Sequence, residues 1–240
     1  QKFHKETISE LIAERDSLAG QLNRIDNSEE ALSQQQTKVD EALAACKKAA
    51  NILTNVRRRA AEEIRRSMEA RLQPLGIPNV RFNIQIEPQE LTAAGGDKVC
   101  FLFSANKSTP MQPVADVASG GEIARVMLSI KAIISSAVKL PTIIFDEIDT
   151  GVSGHVAEKM AMIMREMGDN NRQVISITHL PQIAAMGKHH YKVEKQETPN
   201  GTQSHMHLLT HVERAEEIAQ MLSGSNITNA AIENAKELLK

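Results

Sequence analysis

Aromatic side chains are scarce in this sequence: tryptophan is absent, and one tyrosine and five phenylalanines are spread over 240 residues. That deficit suits a chain in which a long helix rich in Ala, Glu, Lys, Arg and Leu takes a large share of the length. Cysteine is limited to Cys46 and Cys100, far apart and without the Cys-x-x-Cys spacing of metal or redox sites. Two buried thiols in a reducing compartment are expected. No run of 18 apolar residues occurs and the polar start is unlike a secretory signal, so a soluble, cytoplasmic chain with no membrane partner is expected. The net charge of -2 spreads no basic field over the molecule, so any contact with nucleic acid has to be local. A Gly-x-x-x-x-Gly-Lys-[Ser/Thr] loop is also missing, and with it the lysine that reaches the β- and γ-phosphates of a nucleotide. Histidines at 189, 190, 205, 207 and 211 show no convincing metal-ligand spacing and read as exposed strand residues.

What is present is enough to bury a core, with 41% hydrophobic residues. The chain is organised around three short stretches between Ala118 and His179. After Pro141, the apolar run Thr142-Ile143-Ile144-Phe145 reads as a buried strand that ends in two adjacent carboxylates, Asp146 and Glu147. Ligands of open parallel sheets sit beyond the carboxyl ends of strands, and neighbouring side chains there point to opposite sides. One carboxylate can then hold a hydrated Mg²⁺ while the other orients or deprotonates an attacking water. A strand that merely exits into solvent is the plain alternative.

Upstream, Ser119 reads as the N-cap of a helix opened by Gly120, Gly121 and Glu122, with Ile123, Val126, Met127, Ile130 and Ile134 along one face. A helix N-terminus with bare N–H groups is an anion site, although a glycine-rich turn before a helix is a common structural device. Downstream, Val174-Ile175-Ser176-Ile177 reads as a second strand ending at Thr178-His179, about one crossover away from the acidic strand end.

The first 73 residues carry an imperfect heptad pattern. One column runs Leu11, Leu18, Ile25, Leu32, Val39, Cys46, Leu53, Ala60, and the other, interrupted by polar residues, includes Ile8, Leu22, Leu43, Ala50 and Ile64. A coiled coil and a long amphipathic helix packed on a globular body both fit, and Asp26-Asn27-Ser28 before Glu29-Glu30 allows a break and a new cap. Between Lys47 and Arg71, eight Lys or Arg face three Glu. This stripe fits DNA phosphates and fits a solvated, internally paired helix face about equally well. Pro74 and Pro78 end the helix; Val80 to Ile86 and Val99 to Phe103 alternate as a hairpin with one buried face, turning at Gly95-Gly96-Asp97. A helix over 155–167, with Met160, Ile163, Met164 and Met167 as core, a short helix over 180–186, an edge hairpin across Pro199-Asn200-Gly201 and two closing helices complete the reading.

Taken together, Val117-Ala118-Ser119-Gly120-Gly121-Glu122-Ile123-Ala124-Arg125, Ile144-Phe145-Asp146-Glu147-Ile148-Asp149-Thr150-Gly151-Val152-Ser153-Gly154 and Ile177-Thr178-His179-Leu180-Pro181-Gln182-Ile183-Ala184 resemble the second half of an ABC-type ATPase head. Their wording is similar to the RecN family of bacterial DNA-repair proteins, SMC-like ATPases, over essentially the whole chain. The resemblance implies an α/β fold: the C-terminal lobe of an ATPase head at 74–240, a mainly parallel sheet flanked by helices with β-hairpins, plus a returning coiled-coil arm at 1–73. It implies ATP and Mg²⁺, with Asp146 holding the metal through water, Glu147 acting on the lytic water and His179 touching the γ-phosphate. Ser119, Gly120, Gly121 and Glu122 would form the signature that reaches ATP on an opposite head. Many ABC proteins end the D-loop in Asp where Ser153 stands here, and Asp149 is the candidate substitute.

Implied partners are an N-terminal lobe carrying the missing phosphate loop, a second head and DNA, in a cytoplasmic, nucleoid-associated setting of double-strand break repair and recombination. The chain starts without Met inside a helical pattern, so it is expected to be part of a longer protein, and without the phosphate loop it is expected to be inactive alone. Two rival readings stay open: the nucleotide-binding subunit of a transporter, which has no reason to carry a heptad arm, and an inert coiled-coil module.

Overall fold

The computed structural model describes residues 7–117, 119–138, 140–152, 154–169, 172–198, 201–224 and 226–240. The chain divides into two compact units: the described part of Gln1–Arg58 with Ile86–Lys98, and Arg59–Gln85 with Val99–Lys240.

Helix α1 runs without a break from Ile8 to Leu72, so the cap available at Asp26-Asn27-Ser28 is not used. Good helix formers on both sides make continuation cheaper than a new start, which would forfeit several backbone hydrogen bonds. In the first unit the heptad column stands in solvent: Leu18, Ile25, Leu32 and Val39 are 45 to 70% exposed. Cys46 is exposed as well, against the expectation of a buried thiol, because it belongs to that same uncovered column. The tip of a hairpin formed by β1 (Arg81–Thr92) and β2 (Gly95–Ser104) lies in this unit. The chain reverses at Ala93-Ala94, ahead of the expected Gly95-Gly96-Asp97, and those three residues open β2 instead. The reason lies on the neighbouring helix. Gly95 sits at φ +103°, where an L side chain is strained, and a Cβ there would also press on the end of the Leu53 side chain at 2.9 Å. Asp97 is buried, accepting from Thr54 Oγ1 and from the Arg57 guanidinium at 3.0 Å. Burial alone would raise the Asp97 carboxyl, but the bonds from Thr54 and Arg57 outweigh it and hold it below the usual range.

The second unit holds the main core. Met68 and Leu72 from the end of α1 pack with Leu75, Ile77, Phe82 and Phe103, and with Met160, Ala161, Met164 and Met167 of α3 (Gly154–Asp169). Ile163 is partly buried, so α3 uses the expected face. The expected apolar face of the hairpin is covered only at one end: Phe82 and Phe103 are buried, whereas Val99 and Phe101 are each 39% exposed. The short β3 (Gln112–Pro113) pairs with the end of β2 and leads to α2 (Gly120–Ala137).

Two strands carry the candidate chemistry. β4 (Thr142–Asp146) and β5 (Gln173–Ile177) pair in parallel, in register from Thr142↔Gln173 to Asp146↔Ile177, and α3 makes the crossover between them. Their inner face, Ile143 and Phe145 with partly buried Val174, belongs to the core. The outer face does not: Ile144, Ile175 and Ile177 are 55, 40 and 53% exposed, which corrects the reading of fully buried strands. Helix α2 repeats the pattern. Val126, Leu128, Ala132 and Ser135 are buried, while Met127 and Ile134, expected on the core face, are 39 and 44% exposed. Strands and a helix that are apolar all round are built to be covered on both sides, and this chain covers one.

After β5 come α4 (Pro181–Met186), an antiparallel hairpin of β6 (Tyr191–Thr198) and β7 (Gly201–Leu208), α5 (His211–Ser223) and α6 (Asn229–Leu238). A second small core joins Ala185 of α4 to Ile218 and Ala219 of α5 and Ala231 and Ala235 of α6. Arg214 locks this arrangement by donating to the carbonyls of Ala184, Ala185 and Gly187 at the end of α4. No helix among the described residues is long and apolar enough to cross a membrane.

Candidate nucleotide site at the end of the parallel strands

The parallel register decides what meets at this edge. Asp146 ends β4 opposite Ile177, which ends β5, so the acidic pair and the Thr178-His179 pair leave neighbouring strands at the same level. The backbone seals the junction, with Glu147 N–H donating to the Ile177 carbonyl at 3.2 Å. Asp146, Glu147 and His179 are all exposed. Neither the Asp146 nor the Glu147 carboxylate has a hydrogen bond or ion pair to another described residue.

The turn after the strand is tightly built. Glu147 has φ +46°, a left-handed conformation that is uncommon and strained for a non-glycine residue. Thr150 holds that turn by donating both its N–H and its hydroxyl to the Glu147 carbonyl, the latter at 2.9 Å. Asp149 points inward, 1% exposed, where its Oδ2 accepts from the Thr178 hydroxyl and lies 3.6 Å from His179 Nδ1. The carboxylate expected as a D-loop surface contact thus braces the histidine strand of its own chain. Ser153, the other D-loop candidate, lies outside the described residues.

Ser119 is the N-cap of α2, its hydroxyl accepting from Glu122 N–H at 3.4 Å. Ser119 and Gly120 are exposed and Gly121 and Glu122 partly so. A Cβ on Gly121 would lie 3.4 Å from the Thr150 carbonyl and 3.6 Å from that of Gly151. The start of α2 thus lies against the turn that follows Glu147. Thr178 is the residue the motif reading passed over. A Thr beside a strand-end His signals a local hydroxyl link, but its partner 29 positions away is visible only in the fold.

On α1, the basic stripe is partly spent internally. Glu62 accepts from both Arg65 and Arg66, which hold its carboxyl down to about 2. Arg65 also pairs with Glu69, and Arg57 with Asp97. Lys47, Lys48, Arg58 and Arg59 have no ion pair among the described residues.

The chain is 36% identical to the DNA repair protein RecN of Vibrio cholerae over 238 residues, covering 98% of this chain and 43% of that one. It is 39% identical to RecN of Deinococcus radiodurans over 234 residues (97 and 41%) and 32% identical to RecN of Bacillus subtilis over 251 residues (98 and 43%). The chain resembles the C-terminal part of RecN. It spans well under half the length of these RecN relatives. No protein-family model matches it. Among solved structures, the Smc head domain with a coiled coil and joint from Pyrococcus yayanosii superposes with a TM-score of 0.62 at 20% identity, over 98% of this chain and 40% of that one. The Smc head with an extended coiled coil bound to the C-terminal domain of ScpA, from Pyrococcus furiosus, gives 0.52 at 21% identity, over 88 and 48%. At such identities the Smc likeness speaks for the fold: this RecN-like chain has the α/β architecture of an SMC head, a long helix included.

Proposed function

We propose that this chain supplies one part of a composite ATPase site in a RecN-like protein acting in DNA double-strand break repair and recombination. The observation that carries the reading is the meeting of Asp146, Glu147 and His179 at the carboxyl ends of two parallel strands. The donor set fits a hard cation: an exposed carboxylate at a strand end is a usual Mg²⁺ holder. Asp146 is the residue to hold that ion through water, and the ion supplies charge neutralisation at the β- and γ-phosphates. Glu147, turned by its left-handed backbone, orients and deprotonates the lytic water. His179 contacts the γ-phosphate. The N–H groups at the start of α2, with Ser119, Gly120, Gly121 and Glu122, engage the γ-phosphate of ATP held by an opposing head.

The phosphate loop and its lysine belong, in this reading, to an N-terminal lobe that covers Ile144, Ile175 and Ile177. The chain alone then binds ATP weakly and turns it over negligibly. The heptad column of α1 is the face for the other strand of an antiparallel arm. Lys47, Lys48, Arg58 and Arg59 are the basic residues left for DNA phosphates. ATP favours the closed head pair and hydrolysis releases it. A cytoplasmic, nucleoid-associated setting goes with this role. Ser119→Arg in a head carrying both lobes tests the trans contact: ATP-dependent association should weaken by tenfold or more while ATP binding to the single head persists. Unchanged association would remove the signature from the site.

A further inference from the structure

Among the groups near the site, Asp149 is the one whose position the reaction scheme above leaves unexplained. A buried carboxylate is costly unless it is paired and hydrogen-bonded. Here Oδ2 accepts one hydroxyl bond, from Thr178, and Oδ1 is buried with no partner among the described residues. Asp149 thus retains spare acceptor capacity next to an imidazole nitrogen. Thr178 is itself fixed, since Leu180 N–H donates to its hydroxyl oxygen at 3.0 Å, so that a polarised chain runs from Leu180 through Thr178 to the carboxylate. The Asp149 backbone is held too, its carbonyl accepting from Val152 N–H at 3.1 Å.

We propose that Asp149 is a positioning residue for hydrolysis, holding His179 with Nδ1 turned inward and Nε2 presented to the γ-phosphate. The role rests on the ATPase reading above and adds to it the group that orients the histidine. The Nδ1 atom, 3.6 Å from Oδ2, needs to approach by roughly half an ångström for a full hydrogen bond, and catalytic bonds are often that loose before substrate is bound. A carboxylate behind the ring, set to accept from Nδ1, fixes the tautomer and the orientation of the imidazole. The same turn carries Glu147 two residues earlier, so Asp149 ties the histidine strand to the base. Its distance from solvent makes the restraint one that water cannot replace.

The test joins two readouts. Long-range ¹H–¹⁵N spectra of this chain, labelled on histidine and recorded about two pH units above the ordinary imidazole value of ~6.5, should place the His179 proton on Nδ1. In Asp149→Asn, which keeps an acceptor for Thr178 but removes the charge, the proton should move to Nε2, the site a water-exposed imidazole prefers. In a head carrying both lobes, the same variant should lower kcat by about tenfold or more with KM for ATP changed less than about twofold. Thr178→Val should act in the same direction and Thr178→Ser should restore the rate. Should Asp149→Asn fail to fold, the Thr178 pair decides alone. Unchanged kcat, an equal fall for Thr178→Ser and Thr178→Val, or a wild-type His179 proton on Nε2 overturns the proposal, while an inactive Glu147→Gln leaves the ATPase reading standing. Full turnover in Glu147→Gln would instead bring down the ATPase reading, and the role of Asp149 with it.

Discussion

The uncovered outer face of the parallel strands makes a quantitative prediction for the proposed N-terminal lobe. Ile144, Ile175 and Ile177 together leave about one and a half isoleucine side chains of apolar surface in water. Complete burial of one such side chain is worth about 1.5–3 kcal/mol, so covering this face should contribute about 2–4 kcal/mol to association with an N-terminal lobe. That corresponds to roughly 30- to 1000-fold in Kd. Replacing all three with Thr forfeits most of that gain while keeping β-branched residues suited to strands. The assay is a calorimetric titration of the separately purified lobe into wild-type and triple-variant chain, at a temperature where circular dichroism shows both folded. The heat-capacity change should also become less negative, the signature of less apolar burial. Equal affinity of the two chains would refute the idea that this face is an interface, whatever else the lobe contacts.

Other outcomes are expected within the chain itself. Glu147→Asn, which tolerates the left-handed conformation at φ +46°, should leave stability unchanged or raise it by up to about 1 kcal/mol; a clear loss in thermal denaturation would mean that the Glu147 side chain is held by contacts rather than strained. Phe82→Ala, at a site 2% exposed, should cost about 3–5 kcal/mol in denaturant unfolding, and a cost below 1 kcal/mol would contradict its place in the core. The clamp of Asp97 on Thr54 and Arg57 should be acid-sensitive. Its carboxyl is depressed in the folded chain, so its stabilisation is complete above the ordinary aspartate value of ~3.9 and is lost as pH falls through the lower folded value. Amide exchange at the hairpin tip should therefore accelerate below that value in the wild type and be fast at all pH in Asp97→Ala.

How far the sequence reached is instructive element by element. The order of helix start, acidic strand end and histidine strand end could be read because each is a local signal, a cap or an apolar run stopping at a charge, and the parallel crossover follows from their spacing. The cap at Ser119 and the core methionines of α3 followed from the same local rules. Positions that failed depend on what lies opposite. Gly95 reads as a turn residue, yet its left-handed backbone at φ +103° opens β2 instead. Met127 and Ile134 looked like core, yet α2 is apolar on more than one side, so periodicity could not say which side this chain covers. Asp149 sits in an irregular turn where no period predicts direction, and only the fold reveals that it reaches back to Thr178. The heptad column of α1 was legible as a pattern, but whether this chain covers it could be read only from the fold, which leaves it exposed.

The most direct measurement of the central claim is ATP hydrolysis on mixing this chain with an N-terminal lobe that carries the phosphate loop. Turnover should be negligible for either part alone, appear on mixing with Mg²⁺ and ATP, and fall by two or more orders of magnitude when the chain carries Glu147→Gln. Equal turnover with and without that substitution would contradict a composite pocket built on Asp146, Glu147 and His179.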